Sequence, residues 1–578
     1  MRAMNMKNAT FGIELFLALV LAVTLLLTPA AFAATPGMTS TAGTAGTFNL
    51  TAQDSYLNQP DGEAVYSWGY GCVTGSAPAF VPAAITGTFC NTMQVPGPTM
   101  VVTEGATVTI NLTNNLPTAA GNTSILFPGF QLTSTCASNA TNPQGLLACE
   151  AAPGATVTYT FVASAPGTHP YYSGTQGDLQ IEMGLYGAVV VLPSSPPANC
   201  ANGTTKTNLY GQADFGTTNG VPGFPEHDFR LSTAAYDHPK SCYDREYLFQ
   251  WAEMDARIHR QALAQVTAKV GCTPGIPGCS LDVQTEPYHP AYFLINGRSM
   301  PDLMDPNYAS EYPHQPYNGD PHIHLGELML IRTIGQGRWQ HPYHEHANHV
   351  RILARDGNLV LSPTNPTANL AGLLMFNTDT TPGESFDGIF YFTGRGLNWD
   401  PYGHHAGPDV GTSPLANGTP YTDPLAHLAC TPDANGYNTL NGTTVLNYYE
   451  WCQDHNKPVQ VNPFGDVAAG GPVTFPDPDV FTNGAWYGGT PYLGPDATLR
   501  AAMPTCTSNA TSGAATPTTN CTTLMPSNVQ SNPSNERGWA FMWHSHNERE
   551  ITTNNVFPGG MLMMLLVDTR EFAIDETN

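Results

Sequence analysis

Histidines at a spacing suited to metal binding occur in two short stretches of this chain. The first stretch holds His341, His344 and His346, and the second, near the C-terminus, holds His544 and His546. Each contains an H-x-H pair, and residues two apart on a β-strand point to the same face. Neutral imidazole is a common protein ligand of copper and zinc, so two such pairs brought together would supply four nitrogen atoms. The pattern predicts a shared metal site on two strands; the alternative is that these are ordinary surface histidines.

The rest of the chain has the pattern of short β-strands. Runs of β-branched and aromatic residues, such as residues 107–112 and 155–162, alternate with turns rich in glycine and proline. The chain has 56 glycines and 50 prolines, and only 11% of its residues are charged. This composition is typical of a loop-rich, all-β extracellular protein.

Residues 1–33 have the features of an export signal. Arg2 and Lys7 precede an apolar run at 15–27, and the small residues Ala31 and Ala33 follow it. We therefore expect a signal peptide at 1–33 and a mature protein that is secreted, periplasmic, extracellular or attached to the cell surface. After removal of the signal we expect no membrane span, because later apolar runs are too short.

The charge balance restricts the partners of the protein. The formal net charge is −25, whereas nucleic-acid binding requires clustered lysine and arginine. We therefore exclude nucleic acid and expect metal cations or basic proteins to be favoured.

The 12 cysteines favour disulfides, since their number is even and export is expected. Sequence neighbours suggest the pairs Cys72–Cys90, Cys136–Cys149, Cys200–Cys242, Cys272–Cys279, Cys430–Cys452 and Cys506–Cys521. The lack of a C-x-x-C motif argues against a zinc ribbon or a thioredoxin-like redox motif.

A series of short motifs runs through the first part of the chain. The motifs are V-P-G-P-T at 95–99, E-G at 104–105, N-L-T-N at 111–114, P-G at 153–154, G-T at 167–168 and G-L-Y-G at 184–187. In this order they resemble the first cupredoxin domain of the multicopper oxidases, the laccase superfamily. The resemblance implies an all-β fold of tandem cupredoxin-like Greek-key β-sandwiches. We place the first domain at 47–195, a linker at 196–243, the second domain at 244–397 and 537–571, and a long, loop-rich, disulfide-tied insertion in that domain at 398–536. The alternative is a separate third domain at 400–570, and a short helix is expected at 253–270.

Two of the four histidine motifs of that superfamily are degenerate here. The first would place its histidines at Leu126 and Pro128, and the second at Tyr172 and Gly174. By this resemblance the first domain contributes none of the expected ligands of the trinuclear copper cluster.

The other two motifs are retained in part. The third, H-P-x-H-x-H, is intact, and its His341 stands at the type 1 copper position. In the fourth, Ser545 replaces the cysteine and Glu550 stands where the last histidine would be. A blue copper centre depends on the copper-thiolate bond. We therefore expect neither such a centre nor laccase-type oxidation of phenols.

The remaining cluster histidines all belong to the second domain. His344, His346, His544 and His546 could hold one copper ion, or zinc. Alternatively, they are inherited strand residues that hydrogen-bond one another or water. Alternation along the strand places Glu345 on the opposite face.

A third H-x-H pair lies outside these motifs. It consists of His322 and His324. It could be a further metal pair or an exposed turn, and we favour the turn.

Three functions are compatible with these features. The first is a copper-binding protein that has lost full oxidase chemistry. The second is an active copper-dependent oxidoreductase with a reorganised site, in which Tyr171 and Tyr172 act as redox partners or ligands. The third is a structural cell-surface protein on a cupredoxin scaffold. A small molecule or a redox protein could be the partner, and the resemblance makes a homo-oligomer possible.

Overall fold

A computed structural model gives the architecture of the protein. It describes residues 36–41, 46–73, 78–81, 90, 93–136, 142–200, 230–324, 327–392, 489–492 and 538–568. These residues form β-strands with two helices and three short 3-10 turns, at Thr118–Ala120, Ala198–Cys200 and Asp302–Met304. The prediction of an all-β fold is confirmed.

The first sandwich packs two five-stranded sheets against each other, in the orders β4-β1-β5-β10-β9 and β3-β2-β6-β8-β7. Its elements are β1 (Gly37–Thr41), β2 (Thr47–Asn58), β3 (Ala64–Cys72), β4 (Pro78–Val81), β5 (Met100–Thr103), β6 (Thr107–Asn114), β7 (Thr133–Ser134), β8 (Thr156–Val162), β9 (Gly167–Tyr172), α1 (Gly177–Gln180) and β10 (Tyr186–Leu192). Strand β6 illustrates the pattern, since Val108, Ile110 and Leu112 alternate with polar residues and point into the core. One apolar cluster fills the space between the two sheets.

The second sandwich also has two sheets, with the path β12-β11-β14-β20-β16-β17 in one and β13-β23-β22-β15-β19 in the other. Its elements are β11 (Arg245–Met254), α2 (Ala256–Ala268), β12 (Tyr292–Ile295), β13 (His322–His324), β14 (Leu328–Gly335), β15 (Pro342–Glu345), β16 (Val350–Arg355), β17 (Asn358–Leu359), β18 (Leu374–Met375), β19 (Asn377–Asp379), β20 (Ser385–Tyr391), β21 (Gly489–Tyr492), β22 (Gly538–Ser545) and β23 (Leu562–Asp568). The strands that carry the two histidine stretches, β15 and β22, are neighbours in the second sheet. An aromatic-rich cluster forms the core of this sandwich.

Helix α2 begins later than the sequence pattern predicts. Residues 253 and 254 belong to strand β11, and Asp255 caps the helix by accepting a hydrogen bond from the backbone N–H of Arg257. Ile258, Ala262 and Val266 then pack into the core of the first sandwich. The helix thus follows a strand of the second sandwich but covers the first.

Four of the predicted disulfides are present, namely Cys72–Cys90, Cys136–Cys149, Cys200–Cys242 and Cys272–Cys279. The other two pairs, the signal peptide at 1–33 and nearly all of the insertion at 398–536 lie outside the described residues. Neither described helix is long and apolar enough to cross a membrane.

Candidate metal centre

The pairing of β15 with β22 brings the histidine stretches together. The strands are antiparallel, and His344 lies directly opposite His544. Directly opposed residues of an antiparallel pair point to the same face, about 4.5–5.5 Å apart at Cβ. His346 and His546 follow the ends of these strands on the same side, so their rings lie diagonally across the central pair.

Three imidazoles converge at this face. His344, His346 and His544 each offer one nitrogen, and these atoms all lie within 4.8 Å of one another. The Nε2 atoms of His346 and His544 are 3.2 Å apart. Two nitrogens bound to one tetrahedral metal ion at about 2.0–2.1 Å lie about 3.3 Å from each other. The observed separation fits a shared ion, and it is also the length of a hydrogen bond between the two rings.

His546 lies beside this group without belonging to it. Its ring centroid is 5.0 Å from that of His344 and 5.8 Å from that of His544. The side chain is exposed, whereas those of the other three histidines are half-buried.

The environment favours neutral imidazoles at His344 and His544. Burial, together with the neighbouring His346 and His544, lowers the pKa of His344 to about 4. Burial also lowers the pKa of His544. Nδ1 of His544 lies 2.6 Å from the carbonyl oxygen of Ser545, so it is the protonated nitrogen and leaves Nε2 as an acceptor. Nδ1 of His344 is buried and forms no hydrogen bond within the described residues. These are neutral nitrogen donors of the type that copper and zinc bind.

The opposite face of β15 is part of the core. Tyr343 and Glu345 are buried there, and Oε1 of Glu345 accepts a hydrogen bond from Oγ1 of Thr378 at 3.0 Å. Burial raises the pKa of Glu345 well above its usual value. The strand alternation predicts this placement of Glu345.

His341 does not join the other histidines. It is fully buried and lies between two carboxylates, with Nε2 at 2.9 Å from Oε2 of Glu253 and Nδ1 at 2.9 Å from Oε2 of Glu550. Burial alone would lower the pKa of His341, but the hydrogen bonds from its ring to the two carboxylates outweigh this effect and raise the pKa to about 9. Both ring nitrogens are occupied by carboxylates, so neither is available to a metal ion.

Ser545 and Glu550 extend this arrangement toward the histidine group. Oγ of Ser545 donates to Oε2 of Glu550 at 2.5 Å and accepts from the backbone N–H of Asn547 at 3.1 Å. Nδ2 of Asn547 donates to Oε1 of Glu550 at 2.9 Å. Hydrogen bonds thus join His341, Ser545 and Glu550. These residues stand at the type 1 histidine, cysteine and last-histidine positions of the motifs.

The raised pKa of His341 predicts a pH-dependent contribution to stability. The imidazolium is present in the folded and unfolded states below pH 6.5, and only in the folded state between 6.5 and about 9. The folded state therefore binds more protons over this interval, and the free energy of unfolding of the metal-free protein should fall as the pH rises. A shift of this size corresponds to about 3 kcal/mol.

Urea denaturation of the wild type and of His341→Gln at pH 6 to 9.5 would measure this contribution. The wild type should lose its stability advantage over the variant across the interval. Parallel stability curves for the two proteins would contradict the assignment of a protonated His341.

The two degenerate motifs of the first sandwich also meet in space. The backbone N–H of Leu126 donates to the carbonyl of Tyr172 at 2.8 Å. A Cβ atom added at Gly174 would lie 2.7 Å from Cγ of Leu126. The side chain of Leu126, packed against Gly174, therefore fills the space where these two motifs meet. Tyr171 is buried, and its hydroxyl donates to the carbonyl of Pro98.

The contact between Glu253 and His341 was not anticipated from the sequence. Glu253 lies near the end of strand β11 and belongs to no motif that would pair it with His341. Gly337 leaves the space that the Glu253 carboxylate occupies, because a Cβ there would lie 2.5 Å from Oε2.

The preference for an exposed turn at the third H-x-H pair is wrong: residues 322–324 form strand β13, paired with β23, and His322 is buried against Asp320.

Comparison with known proteins finds a partial match to one family. Residues 84–196 match the family model of the multicopper oxidases. Over 99 residues the chain is 39% identical to an L-ascorbate oxidase of Brassica rapa subsp. pekinensis, a match that covers 17% of this chain and 16% of that protein. In this part the chain is similar to the multicopper oxidase superfamily.

Solved structures with a similar arrangement have low scores. The multicopper oxidase mgLAC aligns with a TM-score of 0.35 and 17% identity, over 60% of this chain and 75% of that one. A copper nitrite reductase from Nitrosomonas europaea aligns with a TM-score of 0.34 and 18% identity, over 60% and 83% of the two chains. The family match covers strands β5 to β10 of the first sandwich and does not include the histidine group of the second.

Proposed function

We propose that this protein is an exported copper-binding member of the superfamily that holds a single metal ion at His344, His346 and His544. His546 lies beside this site as a fourth candidate ligand. The observation that carries the proposal is the convergence of three imidazole nitrogens within 4.8 Å of one another. Imidazole ligands suit copper and also zinc. A bound copper ion would supply one-electron redox chemistry.

The surroundings of His341 support a protein without a type 1 copper. A blue copper centre requires a cysteine thiolate beside its histidine ligands. Here the cysteine position is Ser545, whose hydroxyl is bonded to Glu550, and His341 is held at both nitrogens. Laccase-type oxidation of phenols is therefore not expected of this chain.

The disulfides support export to an oxidising compartment. Four are formed among the described residues, and disulfides persist mainly in secreted and periplasmic proteins. Together with the signal-like segment at 1–33, they favour a secreted, periplasmic or cell-surface location.

Metal content tests the proposal directly. We expect the purified protein, loaded with Cu²⁺ and desalted, to retain about one copper ion per chain with a nitrogen-rich type 2 electron paramagnetic resonance spectrum. The double variant His344→Ala/His544→Ala removes the two directly opposed imidazoles and should retain no copper. Elemental analysis and electron paramagnetic resonance on the same samples would measure both.

A matched control separates this site from surface histidines. His289 is exposed and lies outside the group, so His289→Ala should retain copper as the wild type does. If the double variant retains as much copper or zinc as the wild type, the proposed site is wrong. The site is also wrong if none of the proteins, including the wild type, retains metal. In the second case the histidine pairs would be inherited architecture, and a structural role would be the better description.

A further inference from the structure

The turn that follows β22 is closed by hydrogen bonds among side chains. Ser545 is the last residue of the strand, and it is flanked by His544 and His546. Its hydroxyl accepts from the backbone of Asn547 and donates to Glu550. The backbone N–H of Glu550 in turn donates to the carbonyl of Asn547 at 2.8 Å. The conformation of the chain just after His544 therefore depends on the Glu550 carboxylate.

The same carboxylate ties this turn to the other ligand strand. Oε2 of Glu550 is 2.9 Å from Nδ1 of His341, the residue immediately before β15. His341 is also anchored to Thr380, since Oγ1 of Thr380 donates to its carbonyl at 3.0 Å. Glu550 thus links the start of the strand that carries His344 to the end of the strand that carries His544.

We propose that Glu550 is a positioning residue of the metal centre: by joining Ser545 to His341, it fixes His544 and His546 relative to His344 and His346 before the metal binds. This inference rests on the proposed function. A carboxylate that forms several charge-assisted hydrogen bonds while buried is suited to the task, because such bonds are short and directional. Groups that orient metal ligands typically contribute about 10–100-fold to metal affinity.

Three variants distinguish positioning from general stability. Glu550→Ala removes both links, and Glu550→Gln keeps an oxygen that can accept from Ser545 and His341. Asp387→Ala removes another buried carboxylate, which contacts Thr168, Tyr236 and Arg332. Asp387→Ala should lose about as much stability as Glu550→Ala does, while the histidine group stays intact. All affinities are to be measured well below each unfolding temperature, by Cu²⁺ titration against a competing chelator.

We expect Glu550→Ala to raise the Kd for Cu²⁺ by about 10–100-fold and to change the copper electron paramagnetic resonance spectrum. Glu550→Gln and Asp387→Ala should remain within about threefold of the wild type, a small change on that scale. A Glu550→Ala variant that binds copper as tightly as Asp387→Ala does would overturn the inference. The inference would also be overturned if Glu550→Gln bound copper as weakly as Glu550→Ala does, because charge rather than position would then decide the affinity.

A metal-free measurement keeps the inference separate from the proposed function. Nitrogen-15 magnetic resonance of the histidine rings reports the contact between the Nε2 atoms of His346 and His544. Glu550→Ala should change these signals in the absence of metal, while Asp387→Ala should not. If the wild type binds no copper, the proposed function fails, and the ring signals alone then decide whether Glu550 positions the histidines.

Discussion

Replacing Glu253 with alanine is expected to lower the free energy of unfolding by about 3–5 kcal/mol. The carboxylate is buried, and its Oε2 faces the protonated ring of His341. Its Oε1 accepts hydrogen bonds from the backbone N–H groups of Arg338 and Trp339 and lies 3.1 Å from the hydroxyl of Tyr288. Removal would leave the buried imidazolium with a single carboxylate partner. It would also leave two backbone N–H donors without an acceptor, and each lost hydrogen bond is costly away from water.

A second carboxylate near Glu253 provides the matched control. Glu286 pairs with the side chain of Arg338 but is 69% exposed. Exposed ion pairs contribute about 0–1 kcal/mol, so Glu286→Ala should change stability little. Urea denaturation of both variants at pH 7 would measure the difference. Equal, small effects in the two variants would show that the Glu253 carboxylate is not the anchor of this region.

The fold was largely predictable because its signals are local. Alternation of apolar and polar residues marks strands such as β6, and an H-x-H pair on a strand fixes the face on which both rings lie. The end of a strand is less well defined by local pattern. Met254 fits the apolar spacing of a helix, yet it pairs with Tyr292 in the sheet, and the helix begins only after Asp255 supplies a cap. Tertiary pairing here overrides helical periodicity.

The candidate site was predictable only in part, for a related reason. The meeting of His344 with His544 follows once the two strands are neighbours, and the motif resemblance indicates that they are. Glu550 drew notice only as a departure from a histidine, and nothing in the sequence indicated its partner. His341 and Glu253 are 88 positions apart, and such a contact is set by the packing of two sheets. Local patterns carry no information about it.

The surroundings of His341 show how a buried imidazolium can be stabilised. Glu253 and Glu550 place one carboxylate at each ring nitrogen, so the positive charge is paired on both sides. The same contacts link strand β11, which carries Glu253, to the turn that follows β22.

Replacing Asp387 with alanine is expected to have an effect of similar size, about 3–5 kcal/mol, and to weaken the joint between the two sandwiches. Asp387 lies in β20 of the second sandwich, and its Oδ1 accepts from Oγ1 of Thr168 in β9 of the first at 2.6 Å. Its Oδ2 accepts from the hydroxyl of Tyr236 at 2.5 Å. Arg332, also fully buried, donates to Thr168 and pairs with Glu246. Loss of the carboxylate leaves these donors unsatisfied at the joint.

The expected signature of Asp387→Ala is a loss of cooperativity as well as of stability. Because Thr168 and Asp387 belong to different sandwiches, the variant should unfold in two calorimetric transitions where the wild type unfolds in one. The pair of Arg260 with Glu63 is exposed on the arginine side, and Arg260→Ala should keep a single transition within about 1 kcal/mol of the wild type. A single, little-shifted transition in Asp387→Ala would mean that other contacts, such as the apolar cluster that contains Val95 and Leu294, hold the two sandwiches together without this carboxylate.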